Sequence, residues 1–295
     1  MNKLKKRMTP YFFIGPAVLL LLVFAFFPII VAAGISVTDM DLLGLADWSS
    51  IQFTGLENYI ALFKDEDFIE SIYNTFYYVV IGVPLAVGSS FVIAFLLNLV
   101  GTWLSSVLRV VFYAPSITNI VAIAVIWGFL YNYEYGLFNY IFSLFHIGAV
   151  PWLESTQIAK LSLILLSVWK SNGVSMLIFL AALQSIPRMY YEAAEIDGAN
   201  RWQKLTKITI PSMGFATFFV VVTTMIAWFQ YFEEPFVMTE GGPLNSTNSI
   251  ALFIYQKGFQ YNEFGYGAAA SFVLFAIIIL ITLVQFRVRK KVQKG

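Results

Sequence analysis

The segment "YYEAAEIDGANRWQKLTKITIP", Tyr190 to Pro211, stands between two long apolar runs and is polar where they are not. Its residue order predicts two short helices. Pro187, just ahead of it, suits the first turn of a helix, because its missing N–H has no partner to lose there. That helix runs through "RMYYEAAEID" to Gly198, a residue suited to a left-handed cap where a Cβ would cost energy. Asn200 is placed to cap a second helix, "RWQKLTKI", which Pro211 closes as it opens the next apolar run. A first helix this short is unstable alone in water, so it needs a surface. One reading is a connector lying on lipid headgroups, with Arg201, Lys204 and Lys207 drawn to anionic lipid. The other is a docking element, in which Ala193 and Ala194 admit a close neighbour while Glu192 and Glu195 offer carboxylates.

Outward from this segment the chain reads as lipid-soluble. Of 295 residues, 59% are hydrophobic, 18% aromatic and only 12% charged, and the mean hydropathy is +0.76. These values describe a polytopic membrane protein. A net charge of +1 gives no argument for a nucleic-acid partner. One histidine, His146, and no cysteine leave no expected metal or thiol chemistry and no disulfide. His146 itself reads as an interfacial loop residue.

A bilayer crossing needs about 20 apolar residues, and six segments supply them: 11–36, 74–99, 107–131, 158–184, 213–236 and 264–286. The first follows Lys3, Lys5, Lys6 and Arg7, as a signal peptide would, but its apolar run is too long for one and is read as a retained span. Basic residues favour the cytoplasmic side. With the N-terminus inside, Arg109, Arg188, Arg201, Lys204, Lys207, Arg287, Arg289, Lys290, Lys291 and Lys294 also fall inside, whereas the outer loops keep Lys64 and Lys257. Both termini are therefore expected in the cytoplasm, as tails at 1–10 and 289–295 around a six-helix domain at 11–288. The loop near 37–73 is expected outside, with one or two short interfacial helices. Pro16, Pro28, Pro84 and Pro115 lie in or near spans, where a kink serves either packing or movement.

Polar residues inside spans mark a candidate passage. Thr224, Trp228 and Tyr231 follow i, i+4, i+7 in the fifth span and offer aromatic faces, hydroxyls and an indole N–H to a polar solute. Ser167 and Ser171 share a face of the fourth span, with Asn172 beside it. Aromatic stripes and small serines also serve ordinary helix packing, and both readings stay open. Lys170 falls near the middle of the fourth span, where a charge costs about 2.5–3.5 kcal/mol on insertion scales. Glu233 and Glu234 stand at the outer end of the fifth span, too high for direct pairing, so Lys170 is expected to face an aqueous cavity and tune it for polar, including acidic, substrate groups. The external "TEGGP" turn, Thr239 to Pro243, is a further candidate docking surface.

The spacing Glu192-Ala193-Ala194, three residues, Gly198, nine residues, Ile208, one residue, Ile210-Pro211 resembles the loop of inner-membrane permease subunits of binding-protein-dependent ABC importers. Ile210 replaces the family's leucine. "GLENYIALFKDEDFIESIYNTFYY", "ALQSIP" and "TEGGPLNSTNSIALFIYQKGF" are similar to segments found in order in carbohydrate-type permeases, and the opening "PYFFIGPAVLLLLVFAFFPIIVAAGISVTD" resembles their MalF/UgpA-like subunit. The resemblance implies an all-α, six-helix, type I importer (MetI-like) fold. It implies a coupling loop over 187–211, with Glu192, Ala193, Ala194, Asp197, Gly198, Ile208 and Pro211 engaging a cytoplasmic ATPase. It also implies a substrate site built from the fourth and fifth spans. The expected partners are a MalG/UgpE-like second permease, an ATPase dimer and an extracytoplasmic sugar-binding protein in a bacterial cell membrane.

No G-x-x-x-x-G-K-[ST] phosphate loop occurs in the chain. No catalytic residue is expected here, and ATP with its magnesium belongs to the partner. The cargo implied is a carbohydrate, in particular an oligosaccharide, with glycerol phosphate or another polar solute as alternatives. A secondary carrier running on an ion gradient is the contrasting class, but the chain lacks the repeated halves such carriers show. No Ser-His pair or acidic dyad inside the spans favours an intramembrane hydrolase.

Overall fold

The computed structural model describes residues 3–292, with side chains described over 11–290. Among these residues the fold is helical, without strands, and its one strand-like pairing is an isolated bridge between Thr38 and Phe53. Residues 1, 2 and 293–295 lie outside the description, and with them the ends of both expected tails. From Lys3 onward the expected N-terminal tail is already helical.

Among the described residues, four helices are long and apolar enough to cross a bilayer: Tyr11–Ile35, Glu66–Leu99, Ala159–Gln184 and Phe264–Lys290. Two bent pairs bring the number to six: Thr102–Ile117 with Ile120–Tyr131, at 99°, and Arg201–Ser212 with Gly214–Phe229, at 65°. Six spans were expected, but not these breaks. The third span fails at Thr118 and Asn119, both extended. The Asn119 carboxamide accepts the Val121 N–H at 2.8 Å and so caps a fresh helix, while the Thr118 hydroxyl closes the old one on the Ala114 carbonyl. The fifth span, expected over 213–236, stops at Phe229, and a separate helix occupies Glu233–Thr239. The second span begins at Glu66, eight residues earlier than read from hydropathy, because amphipathic turns precede the apolar ones.

Proline shapes two helices in the same way. Wide π-turns at Leu22–Phe26 and Leu205–Thr209 end two residues before Pro28 and Pro211. A proline removes one N–H from the ladder and pushes on the carbonyl four residues back, and a wide turn relieves both. Pro211 therefore does not close its helix: the chain stays helical to Ser212 and breaks at Met213.

The chain divides into two compact units. One comprises Met1–Glu66 and Phe253–Ala276. It contains three short helices in the 37–73 loop where one or two were expected: Glu57–Leu62 is of the expected kind, and Leu42–Ala46 and Trp48–Ser50 precede it. Asn58 ties this loop together by donating to the Ser36 and Thr38 carbonyls at 3.0 and 2.8 Å. Gly265 has no room for a side chain, since a Cβ there would lie 2.1 Å from the Thr38 carbonyl oxygen.

The other unit comprises Asp67–Leu252 and Ile277–Gly295. At the end nearest the 187–211 loop Ala94, Leu97, Met176, Phe179, Leu183, Met213 and Val220 form a buried cluster from the second, fourth and fifth spans. At its opposite end Ile123, Trp127, Tyr131 and Leu166 pack together. Close approach of the third and fourth spans depends on Gly173, where a Cβ would lie 2.7 Å from the Tyr113 Cα.

Candidate functional site

Residues singled out in the fourth and fifth spans line a cavity of about 500 Å³. Its walls include Ser167, Lys170 and Ser171 from the fourth span, Thr224 and Trp228 from the fifth, Tyr231 just beyond it, and Ser116 from the third. Gln230, Glu233 and Glu234 complete the wall and were not assigned to the passage from sequence. Asn172 is absent from the lining. It is buried against the second span, where its Oδ1 accepts from Ser89 and Ser90 at 2.8 and 3.0 Å.

The aromatic stripe is partly packing and partly wall. Tyr231 lies in the break after Phe229, so it is not on the helical face that i, i+7 spacing implied. Its hydroxyl lies 2.5 Å from the Ser167 hydroxyl and donates to the Leu163 carbonyl at 3.2 Å, so the phenol is fully occupied within the protein. Trp228 stacks on Tyr231 with ring centroids 5.2 Å apart. The other side of the indole abuts Gly82, where a Cβ would come within 2.1 Å of the ring. That glycine is what lets Trp228 lie flat against the second span.

Lys170 lines the cavity, but it is paired where no direct pairing was expected. Its Nζ lies 2.8 Å from Glu233 Oε2 and 3.3 Å from Glu234 Oε1. The pairing follows from the break in the fifth span. Helix Glu233–Thr239 packs beside Ile120–Tyr131 and Ala159–Gln184, which brings its first turn to the lysine. A continuous helix to residue 236 would have carried both carboxylates away. Glu234 is 8% exposed and Glu233 58%, so one carboxylate is sealed in the wall and the other faces open space. A midspan lysine followed by a paired Glu-Glu-Pro was the available clue; helical continuity hid it.

Beyond the cavity, the segment at 245–250 is stitched down. Asn74 donates to the carbonyls of Asn245 and Asn248, both at 3.0 Å, and accepts from Lys160 at 2.8 Å. Tyr78 donates to the Thr247 carbonyl, and Thr75 accepts from the Ile250 N–H. Of the candidate "TEGGP" turn, Gly241 is buried and Glu240 exposed, with Leu244 exposed just after it.

At the opposite end, Arg188–Ile196 forms the predicted first helix, with Pro187 one position outside it rather than in its first turn. Its end is a Schellman motif: Ala199 N–H bonds to the Ala194 carbonyl at 2.8 Å and Gly198 N–H to that of Glu195 at 3.0 Å. Gly198 has φ +75°, and Asp197 is the exposed residue before it. Asn200 and Gln203 then form a reciprocal capping box for the second helix. Lys204 reaches back to Glu195 at 2.6 Å.

Glu192 and Ala193 are exposed, and Ala194 is half-buried. Tyr191 and Ile208 point the other way, onto the buried cluster of Leu97, Leu183 and Met213, and the Tyr191 and Thr209 hydroxyls lie 2.9 Å apart. One face thus grips the spans while the other is left open, with Ile196 88% and Trp202 70% exposed. Among the described residues no group of three or more His, Asp or Glu side chains could hold a metal ion.

Residues 59–294 match the family model of the binding-protein-dependent transport system inner membrane component. The chain is 37% identical over 290 residues to the probable ABC transporter permease protein YesP of Bacillus subtilis strain 168, covering 96% of this chain and 91% of the relative. It is 33% identical over 295 residues to the arabinooligosaccharides transport system permease protein AraP of the same organism, covering 96% and 88%. Its fold is that of a chain in the crystal structure of a bacterial ABC transporter involved in import of the acidic polysaccharide alginate, with a TM-score of 0.77, 21% identity and coverage of 98% and 99%. The bent spans, the exposed loop helix and the family match converge: the chain is a multi-pass membrane protein of the binding-protein-dependent ABC transporter permease family, inner membrane components with the type I importer fold.

Proposed function

We propose that this permease passes a carbohydrate, specifically an oligosaccharide, from an extracytoplasmic binding protein to the cytoplasm, driven by ATP hydrolysis on another chain. The observation that carries the reading is the helix Arg188–Ile196, which is open on one face and anchored on the other. Its exposed Glu192, Ala193 and Ile196 supply a docking face for an ATPase dimer, with ATP and magnesium bound there. The AraP relative supports the cargo class.

Movement would pass through few joints. The helix joins the fourth span through residues 185–187 and the fifth through residues 197–213, and Tyr191 and Ile208 pack on the cluster these spans share. A push on the docking face therefore reaches the two spans that line the cavity. Ser167, Lys170, Ser171, Thr224, Trp228 and Tyr231 form this chain's share of the passage, and a second, MalG/UgpE-like permease supplies the rest. Asn172 sets the packing behind it. Both termini lie in the cytoplasm, and Arg201 and Lys207 sit at the lipid headgroups.

Co-purification with candidate ATPases, together with uptake of a labelled oligosaccharide into vesicles, tests this. Glu192→Ala and Gly198→Pro should each abolish both. A carrier running on an ion gradient would be indifferent to the ATPase, and uptake that persists without it would overturn the proposal.

A further inference from the structure

The charged side chains on the cavity lining are Lys170, Glu233 and Glu234. A lone lysine there would attract anions. Here its ammonium is engaged by two carboxylates, at 2.8 and 3.3 Å, so the lining carries more negative charge than positive. The exposed member of the trio is Glu233, at 58%, whereas Lys170 is 17% exposed. An entering solute therefore meets a carboxylate before it meets the ammonium. The remaining polar lining consists of hydroxyl and carboxamide groups, among them Ser116, Ser171, Thr224 and Gln230. These donate and accept as sugar hydroxyls do.

Resting on the reading of this cavity as a sugar passage, we infer that the Lys170–Glu233–Glu234 cluster sets its charge selectivity, admitting neutral oligosaccharides and excluding acidic ones. Two carboxylates hold the lysine in the wall, and Glu233 repels carboxylate, sulfonate or phosphate groups on the cargo. Selectivity for acidic cargo would require an ammonium free of this clamp.

The test uses the assembled transporter in nanodiscs, with second permease and ATPase but without the binding protein, so that the binding protein's own preference cannot enter. Saturation-transfer NMR titrations compare a neutral trisaccharide with its uronic-acid counterpart. Wild type should bind the neutral sugar at least about tenfold more tightly, a modest effect for unit charges a few Å apart in a partly desolvated site. Glu233→Gln, at an exposed position that leaves the buried Glu234 pair intact, should shrink that ratio to about threefold or less. Lys170→Gln should widen it. Equal binding of the two sugars by wild type, or a ratio unmoved by Glu233→Gln, would overturn the charge assignment while leaving the passage standing. Binding of neither sugar would overturn the passage and this inference together.

Discussion

The two ends of the larger unit handle polar and apolar groups in opposite ways. At the end opposite the 187–211 loop, Asn74 satisfies two carbonyls and Lys160, Tyr78 and Thr75 secure the same segment, and Thr247, Asn248 and Ser249 are buried there. The 187–211 loop itself closes its backbone with one Schellman motif and one capping box, and leaves Ile196 and Trp202 exposed. An element that satisfies its polar groups internally is built to stay in place. One that is capped but leaves apolar side chains exposed is built to be completed by another chain.

The sharpest way to break this contrast is Gly198→Val. A β-branched residue at φ +75° costs about 1–2 kcal/mol or more and unmakes the Schellman turn that orients the proposed docking face. ATP-driven uptake should fall to background while the amount of permease in the membrane stays within about twofold, since the helix buries little of this chain's own core. Loss of the protein from the membrane would show that the turn serves folding instead.

The next largest effect belongs to the other end. Asn74→Ala strips partners from two carbonyls and Lys160 at a buried position, so about 3 kcal/mol of stability should go. Denaturant titration in detergent reads this directly. An unchanged midpoint would mean that water replaces the amide and that the segment at 245–250 is not held as described.

Much of this architecture was legible in the residues, and the illegible part has one cause. Asn200 and Gly198 act locally, through a side-chain oxygen and a missing Cβ, so their roles could be read without any neighbour. The six apolar runs were equally plain. The breaks at Thr118–Asn119 and Gln230–Phe232 were not, because a broken span has the composition of an unbroken one. In hydrocarbon, irregular backbone survives where it is buried or lines a cavity, which is a tertiary property. The second break is what brings Glu233 and Glu234 to Lys170, so the lysine's partners were hidden with it. Asn172 shows the converse error. It sits beside Ser171 in sequence, but a residue's rotation of about 100° along the helix turns it toward Ser89 and Ser90.

Ile196→Lys asks whether the exposed apolar face binds anything. At 88% exposure the substitution should change the permease's own stability by less than about 0.5 kcal/mol. Affinity for the ATPase should nevertheless drop about tenfold, the effect of a charge placed against an apolar contact. Surface-immobilised ATPase and permease in nanodiscs give the comparison, and equal affinity would restrict the docking face to Glu192 and Ala193.

The smallest effect refines the same boundary. Asn200→Ala removes one half of the capping box, because the Gln203 N–H loses its acceptor while the Gln203 side chain still reaches the residue 200 N–H. The expected cost is about 1 kcal/mol, confined to the second loop helix. Amide exchange should quicken over residues 201–206 and remain unchanged at Ala199 and Gly198, whose bonds belong to the preceding helix. Asn200→Asp should restore protection, since a carboxylate accepts the same N–H. If protection is instead lost across both helices, they form one cooperative unit, and a push on Arg188–Ile196 is transmitted rigidly into the fifth span. If it is lost only in the second, that helix is the compliant joint, and the fourth span carries the larger share of the motion.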